Sequence, residues 1–221
     1  MNQNSNTSIA KTNSTVYHLA KFLVVRPFFN LYFRGKVIGI EKVPRKGKLI
    51  IVSNHASVWD PPILACAIPR AVSFMAKKEL FESPLFAKLI TSLGAYPVNR
   101  TGGDRNAIRQ AINKIEEGWA TCIFIEGTRT EDGKVYDPKL GAALIAAKTQ
   151  APLLPICLCG TEKILVPDKK FPQCVPLTLK VGGLVSPPPS TKKEHLESVT
   201  QECTNAINSL AKEVPILSEA G

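Results

Sequence analysis

The stretch Lys48-Leu-Ile-Ile-Val-Ser-Asn-His-Ala-Ser-Val-Trp-Asp-Pro-Pro62 changes character twice within 15 residues. Its first part, residues 48–53, is an apolar run rich in β-branched side chains, which predicts a buried strand. Asp60-Pro61 predicts the start of a helix, with Asp60 at the cap and proline at the first position. His55 is therefore expected on the strand-to-helix connection, where functional sites of α/β proteins are found.

Strand and helix patterns alternate along the rest of the chain. Strands are predicted at 36–40, 48–53, 71–75, 95–98, 120–125, 153–158 and 176–183, and helices at 61–68, 83–93, 104–117, 139–148 and 192–212. Such alternation is typical of an α/β fold, with a single mostly parallel sheet of about seven strands flanked by helices. Loops at the carboxyl ends of parallel strands converge, so we expect His55, Arg100 and Arg129 to lie around one crevice.

His55 and Asp60 are the candidate catalytic pair. Imidazole accepts a proton near neutral pH, and a carboxylate on its other ring nitrogen fixes its tautomer and raises its basicity. Five residues turn a regular helix to a different face, so the two side chains can meet only on a turn or loop. The chain has no Gly-x-Ser-x-Gly nucleophile elbow, which favours direct attack by a substrate hydroxyl over a serine acyl-enzyme.

Two further short motifs contain arginines, in Gly94-Ala-Tyr-Pro-Val-Asn-Arg100 and in Phe124-Ile-Glu-Gly-Thr-Arg-Thr130. A guanidinium group presents a planar fork of donors that stays charged and matches phosphate oxygens. A histidine base combined with two arginines is suited to activating a hydroxyl on a molecule that carries phosphate. The chemistry predicted from these residues is therefore hydroxyl activation beside an anionic group.

The order of these motifs resembles that of the glycerolipid acyltransferases, specifically the 1-acyl-sn-glycerol-3-phosphate acyltransferases. The family's motifs are matched at Asn54, His55 and Asp60; at Gly94 and Arg100; at Phe124 and 126–129; and at Leu154-Pro155-Ile156. Ile125 and Thr130 depart from the proline and serine of the third motif, and every charged position is intact. The resemblance covers residues 36–183.

The resemblance implies phospholipid biosynthesis: transfer of a fatty acyl group from an acyl thioester to the sn-2 hydroxyl of lysophosphatidic acid, giving phosphatidic acid. It implies that His55 is the general base and that Asp60 is its partner. The substrate-binding residues that it implies are Arg100, Glu126, Gly127, Thr128, Arg129 and Pro155. The acyl donor is acyl-coenzyme A or acyl carrier protein, and the resemblance implies no cofactor and no metal.

The net charge of +10 is concentrated near the amino-terminal end, where residues 1–50 hold nine basic residues and one acidic residue. Residues 16–33 are rich in large apolar side chains but contain Lys21 and Arg26, and they are too short and too charged for a clear membrane-spanning helix. We predict a polar tail and a bent amphipathic helix over 1–34, lying on an anionic membrane at its cytoplasmic face. The alternative is a helix packed on the protein's own core. Residues 35–221 are predicted as the acyltransferase domain.

The six cysteines show no spacing typical of a disulfide framework, and no secretory signal peptide is recognisable, so we expect reduced thiols in a cytosolic setting. Cys157-x-Cys159 has no second ligand pair for a metal and is predicted to lie on one face of a strand.

Two alternative functions stay open. One is an acyltransferase of the same family that uses glycerol 3-phosphate or another lysophospholipid as acceptor. The other is a non-catalytic protein that binds membranes or nucleic acid. The intact His55 and Asp60 disfavour a silent protein, and basic residues are not interleaved with aromatic ones, which disfavours a nucleic-acid partner.

Overall fold

One seven-stranded sheet organises the computed structural model, which describes residues 29, 31, 33–92, 94–98, 105–165 and 172–212. The strands are β1 (Lys36–Ile38), β2 (Leu49–Ser53), β3 (Val72–Lys77), β4 (Ala95–Val98), β5 (Ala120–Phe124), β6 (Leu153–Cys159) and β7 (Thr178–Val181). Their order across the sheet is β1-β7-β6-β2-β5-β3-β4. The pairing of β6 with β7 is antiparallel, and the other pairings in this sheet are parallel. The predicted α/β fold with a single mostly parallel sheet is confirmed.

Five α-helices within the described residues connect or follow these strands. They are α1 (Asp60–Ala67), α2 (Pro84–Ser92), α3 (Arg105–Glu116), α4 (Gly141–Thr149) and α5 (Lys193–Lys212). Short 3-10 turns lie at Ile40–Lys42, Lys78–Phe81 and Thr161–Lys163. Each predicted helix of the domain is present, with ends shifted by one or two residues. Within the described part of the chain, no helix is both long enough and apolar enough to pass through a bilayer.

The central strand β2 explains how the two layers of helices are held. All five of its residues are buried, and their side chains alternate between the two faces of the sheet. Leu49 and Ile51 belong to a core cluster with α1, whereas Ile50 and Val52 belong to a second cluster with α3, α4 and α5. A strand covered on both faces needs apolar side chains at every position, which accounts for the unbroken apolar run.

The amino-terminal segment is described only in part. Phe29 and Phe33 are buried in the cluster that contains α1, whereas Leu31 is exposed. Most of the predicted amphipathic helix over residues 16–33, and all of the predicted polar tail, lie outside the described residues. The division of the chain at residue 34 therefore stays a prediction.

The register of the sheet brings two loops together. Ser53, the last residue of β2, is level with Phe124, the last residue of β5, and with Ile156 of β6. The chain therefore leaves β2 and β5 at the same height on neighbouring strands, about 4.8 Å apart. This edge of the sheet carries the loop with His55 and the loop that begins at Ile125.

Candidate active site

His55 and Asp60 meet on the loop between β2 and α1, as their spacing predicts. Nδ1 of His55 lies 2.7 Å from Oδ2 of Asp60. The same oxygen accepts hydrogen bonds from the backbone N–H groups of Ala56 at 2.7 Å and Ser57 at 2.8 Å. Asp60 is fully buried, and His55 is 8% exposed. In the neutral ring, a proton on Nδ1 shared with the carboxylate leaves Nε2 as the nitrogen able to accept a proton.

The expectation that Asp60 caps helix α1 is wrong by one position. Trp59 occupies the cap, Asp60 is the first helical residue, and prolines follow in the first turn. Because prolines 61 and 62 lack N–H groups, the first turn offers few donors to a capping side chain. The carboxylate of Asp60 turns back instead, towards the N–H groups of the loop that precedes the helix.

The imidazole of His55 is held by neighbours besides Asp60. It stacks on the ring of Phe124, with the centroids 4.0 Å apart and an angle of 15° between the planes. The backbone carbonyl of His55 accepts a hydrogen bond from the N–H of Thr130 at 2.8 Å and another from its hydroxyl at 3.3 Å. The last residue of β5 therefore holds the ring of His55, and the loop after β5 holds its backbone.

Asn54 joins the histidine loop to two distant segments. Its side-chain nitrogen donates to the carbonyls of Gly133 at 2.7 Å and Leu158 at 2.8 Å, and its oxygen accepts from the N–H of Leu158 at 2.8 Å. The amide thus pairs with Leu158 of β6 as a backbone peptide would, just where β2 ends. The sequence predicts Asn54 only as part of the first motif. Its partners are far away in sequence, so spacing gave no signal of this function.

Glu126 organises the loop between β5 and α4. Its Oε1 accepts hydrogen bonds from the backbone N–H groups of Tyr136 at 2.9 Å and Asp137 at 3.0 Å. Its Oε2 is buried and has no hydrogen-bond partner among the described residues. Gly127 follows with a φ of +71°, a conformation that glycine adopts without strain. One carboxylate oxygen therefore shapes the loop, while the other remains available to a ligand.

Of the two predicted arginines, Arg129 lies within the described residues and Arg100 does not. Arg129 is exposed, and its guanidinium makes no hydrogen bond or ion pair to any part of the chain that the structure describes. Its neighbour Thr130 is bonded to the backbone of His55, which places Arg129 beside the histidine loop. Arg100 lies outside the described residues, so its predicted position beside His55 stays a prediction.

A cavity of about 400 Å³ opens at His55 and runs between the sheet and helices α3 and α4. Its walls are mainly apolar side chains and backbone of β3, β4, β5, α3 and α4, and Glu126, Gly127 and Thr128 lie at its polar side. The lining of the cavity includes Met75, Val98, Ala107, Ile108, Gly141 and Ile145. This volume falls within the range of about 300–1,000 Å³ found for small-molecule sites.

Pro155 does not line this cavity. It is buried in the middle of β6, level with Val52 of β2, and its carbonyl accepts a hydrogen bond from the N–H of Gly182 at 2.9 Å. The structure therefore gives Pro155 a place in the sheet behind the site. Its predicted part in shaping the acyl-donor site stays a prediction.

The cysteines near the site are thiols without a catalytic arrangement. Cys122 lines the cavity, and burial, together with the negative charge of Asp60, raises the pKa of its thiol far above the usual range. Such a thiol stays protonated and is a poor nucleophile. Cys157 and Cys159 share one side of β6, as predicted, with their sulfurs 3.5 Å apart. In the described ranges, no three His, Cys, Asp or Glu side chains form a group that could hold a metal ion.

Comparison with known proteins agrees with this geometry. The family model described as Acyltransferase matches residues 34–159. The 1-acyl-sn-glycerol-3-phosphate acyltransferase of Streptococcus pneumoniae is 30% identical over 186 residues, which are 83% of this chain and 62% of that protein. The enzyme of the same name from Bacillus subtilis is 33% identical over 133 residues, 59% of this chain and 66% of that protein. The chain thus spans less than two thirds of the length of these relatives.

A solved structure supports the same assignment. The crystal structure of the 1-acyl-sn-glycerophosphate (LPA) acyltransferase from Thermotoga maritima superimposes with a TM-score of 0.68 at 26% sequence identity, covering 94% of this chain and 81% of that chain. The family model alone covers more than half of the sequence, including the loops that carry His55, Asp60, Glu126 and Arg129. This chain therefore belongs to the acyltransferase family.

Proposed function

We propose that the protein is a 1-acyl-sn-glycerol-3-phosphate acyltransferase, which transfers a fatty acyl group from an acyl thioester to the sn-2 hydroxyl of lysophosphatidic acid. The observation that carries the proposal is the buried pair of His55 and Asp60 at the mouth of an apolar cavity, with Nε2 as the proton-accepting nitrogen. Similarity to the 1-acyl-sn-glycerol-3-phosphate acyltransferases of Streptococcus pneumoniae and Bacillus subtilis supports the choice of substrate. The donor is acyl-coenzyme A or acyl carrier protein.

In the proposed reaction, Nε2 of His55 removes the proton from the sn-2 hydroxyl while the hydroxyl oxygen attacks the carbonyl carbon of the thioester. Asp60 stabilises the imidazolium that forms, since its Oδ2 faces Nδ1 at 2.7 Å. The tetrahedral intermediate then collapses, the carbon–sulfur bond breaks, and the imidazolium returns its proton to the departing thiolate. His55 ends the cycle neutral, and no covalent acyl-enzyme forms.

The phosphate of the acceptor is proposed to bind at the loop after β5. The guanidinium of Arg129 is exposed there and has no partner among the described residues, so it can grip phosphate oxygens. Arg100 is proposed as the second half of this clamp. The unpaired Oε2 of Glu126 is suited to accept a hydrogen bond from a glycerol hydroxyl, and Gly127 and Thr128 offer backbone groups at the rim of the cavity.

The apolar cavity is proposed to hold a fatty acyl chain. Its walls offer Met75, Val98, Ile108 and Ile145, which exclude water from a chain lying beside them. A thioester or ester carbonyl at the mouth would then lie next to His55. The length of the cavity would limit the length of chain that the enzyme accepts.

We place the enzyme at the cytoplasmic surface of the membrane, attached as a peripheral or monotopic protein. Its substrates are amphiphiles that reside in the bilayer, and the excess of basic residues in 1–50 attracts anionic lipid. The predicted amphipathic segment within 1–34 supplies an apolar face.

Because Phe29 and Phe33 pack in the core, a truncation test should remove residues 1–28 only. Unchanged co-sedimentation of that variant with anionic vesicles would reject the segment as the anchor.

One assay tests the reaction. Purified protein is given a labelled acyl thioester and, in parallel, lysophosphatidic acid, glycerol 3-phosphate or lysophosphatidylcholine. We expect labelled phosphatidic acid from the first acceptor and at least tenfold less product from the others. Preferential acylation of glycerol 3-phosphate or lysophosphatidylcholine would replace the proposed acceptor. Failure to acylate any of them, by protein that is folded and bound to vesicles, would reject the function.

A further inference from the structure

Three large apolar side chains that are close together in sequence are exposed to solvent. Leu80 is 44% exposed, Leu85 is 83% exposed and Phe86 is 44% exposed. Leu80 belongs to the 3-10 turn Lys78–Phe81 after β3, and the other two belong to helix α2. Elsewhere in the described part of the chain, large exposed apolar side chains lie further apart in sequence. A cluster of this kind marks a surface that contacts another apolar phase or molecule.

The packing of helix α2 explains why Leu85 and Phe86 are exposed. It packs against β4 and against the preceding 3-10 turn, with Ala87 and Ile90 half-buried. Leu85 and Phe86 are neighbours on the helix, about 100° apart, and both remain exposed. On an ordinary surface helix, the side facing water is polar. In α2 the exposed residues include Leu85 and Phe86 as well as the polar Lys88 and Thr91.

The position of this surface relates it to the candidate active site. Phe74 of β3 is level with Cys122 of β5, so β3 reaches the same edge at which β2 and β5 end. Only β5 separates β3 from β2, which places the start of the 3-10 turn about 10 Å from the histidine loop. Met75 of β3 also lines the cavity. The 3-10 turn that carries Leu80 and the start of α2, which follow β3, therefore lie at the same edge of the sheet as the histidine loop.

Charged groups flank the apolar side chains. Lys77, Lys78 and Lys88 are exposed, as are the acidic residues Glu79 and Glu82. Three positive and two negative charges leave this stretch with a net charge of +1. No ion pair joins these side chains to one another or to other described residues. Lysines beside exposed leucine and phenylalanine suit an interface at which apolar side chains enter the acyl layer and ammonium groups stay among phosphates.

We propose that Leu80, Leu85 and Phe86, which we call the α2 surface, insert into the bilayer and bring the mouth of the active site against the membrane. The occupant is an anionic phospholipid bilayer. The inference rests on the proposed function, because lipid substrates must enter at the edge that carries His55. It adds to that function a second membrane contact, on the catalytic domain itself. Because the net charge is small, insertion of apolar side chains carries most of the binding at this surface.

The test uses the full chain with both Leu85 and Phe86 replaced by serine, and Leu184→Ser as the matched control. Leu184 is 51% exposed, and it follows β7, which runs antiparallel to β6 and so ends at the opposite edge of the sheet. Binding is measured by flotation with vesicles of phosphatidylglycerol and phosphatidylcholine. We expect the double variant to bind at least about tenfold more weakly, since burying one such side chain is worth about that factor. The control should bind within twofold of the wild type.

Two further readouts separate the possible outcomes. The double variant should keep its melting temperature and its activity on a short-chain acceptor dissolved in water, and lose activity on acceptor embedded in vesicles. Vesicle binding equal to the wild type would overturn the proposal. A lowered melting temperature of the double variant would also overturn it, because it would indicate that residues 1–28 cover the surface. A wild-type protein that is dimeric in solution, with a double variant that is monomeric, would overturn it as well. If no acceptor is acylated while vesicle binding still depends on this surface, the proposed function fails and the surface stands.

Discussion

The substitution Asp60→Asn tests the pairing of Asp60 with His55. Oδ2 of Asp60 faces Nδ1 of His55 at 2.7 Å inside a buried loop. With an effective dielectric constant of about 20, opposite unit charges at this distance attract by roughly 6 kcal/mol. A neutral amide can retain a hydrogen bond to the imidazolium worth about 1.5–3 kcal/mol. The difference, about 3–4.5 kcal/mol, predicts that kcat falls by roughly 10²–10³-fold.

The measurement is kcat with lysophosphatidic acid and a saturating acyl thioester, together with the melting temperature. Asp132→Asn is the control, because Asp132 lies exposed on the loop after β5 and is bonded to Tyr136 rather than to the site. We expect the control to keep kcat within about twofold. In a double variant with His55→Ala, Asp60→Asn should add little, because residues that act as a unit are not additive. A folded Asp60→Asn enzyme with less than a tenfold loss in kcat would refute the pairing.

Three other predictions follow from contacts in and around the site. Arg129→Ala should raise the KM for lysophosphatidic acid at least about tenfold with little change in the KM for the donor, and an effect confined to the donor would contradict its phosphate role. Asn54→Asp puts a carboxylate against the carbonyls of Gly133 and Leu158, so the free energy of unfolding should fall by about 2–4 kcal/mol. A melting temperature equal to that of the wild type would contradict this prediction. Gly141 lines the cavity, and a Cβ at this position meets nothing within 4 Å, so Gly141→Leu should shift the preference of the enzyme towards shorter acyl chains without loss of stability. An unchanged chain-length preference would contradict the proposal that the cavity holds the acyl chain.

The sheet could be predicted from the sequence because each strand is a short apolar or β-branched run bounded by turn residues. The run that became β2 is apolar at successive positions, which is what a strand buried on both faces requires. The alternation with helices then implied mostly parallel pairing. The antiparallel place of β7 beside β6 could not be predicted, because its pairing depends on which edge of the sheet was left open.

The site could be predicted where the chemistry is local. His55 and Asp60 are five residues apart, and helix geometry alone predicts that they can meet only on a turn or loop, as they do. The predicted helix cap is wrong by one residue because Asp60 finds its donors in the loop at Ala56 and Ser57 rather than in the helix. The preference of aspartate for the cap position describes an isolated helix end, whereas here the carboxylate of Asp60 binds His55 and the loop.

The remaining features of the site depend on contacts far apart in sequence. Asn54 meets Gly133 and Leu158, which are 79 and 104 residues away. The cavity has walls from three strands and two helices, so no single segment of sequence carries its signature. Leu85 and Phe86 fit the apolar pattern of a buried helix face, and only the packing of α2 shows that they are exposed.

A single-turnover comparison of wild-type protein with His55→Ala tests most directly whether His55 is the general base. Both proteins are loaded with labelled acyl thioester and mixed with lysophosphatidic acid in vesicles, after equal vesicle binding and melting temperature have been verified. Because positioned general bases contribute about 10²–10⁴-fold to rates, we expect formation of phosphatidic acid to slow by at least a hundredfold in the variant. Turnover at the wild-type rate in the folded, vesicle-bound variant would contradict the assignment of His55 as the base.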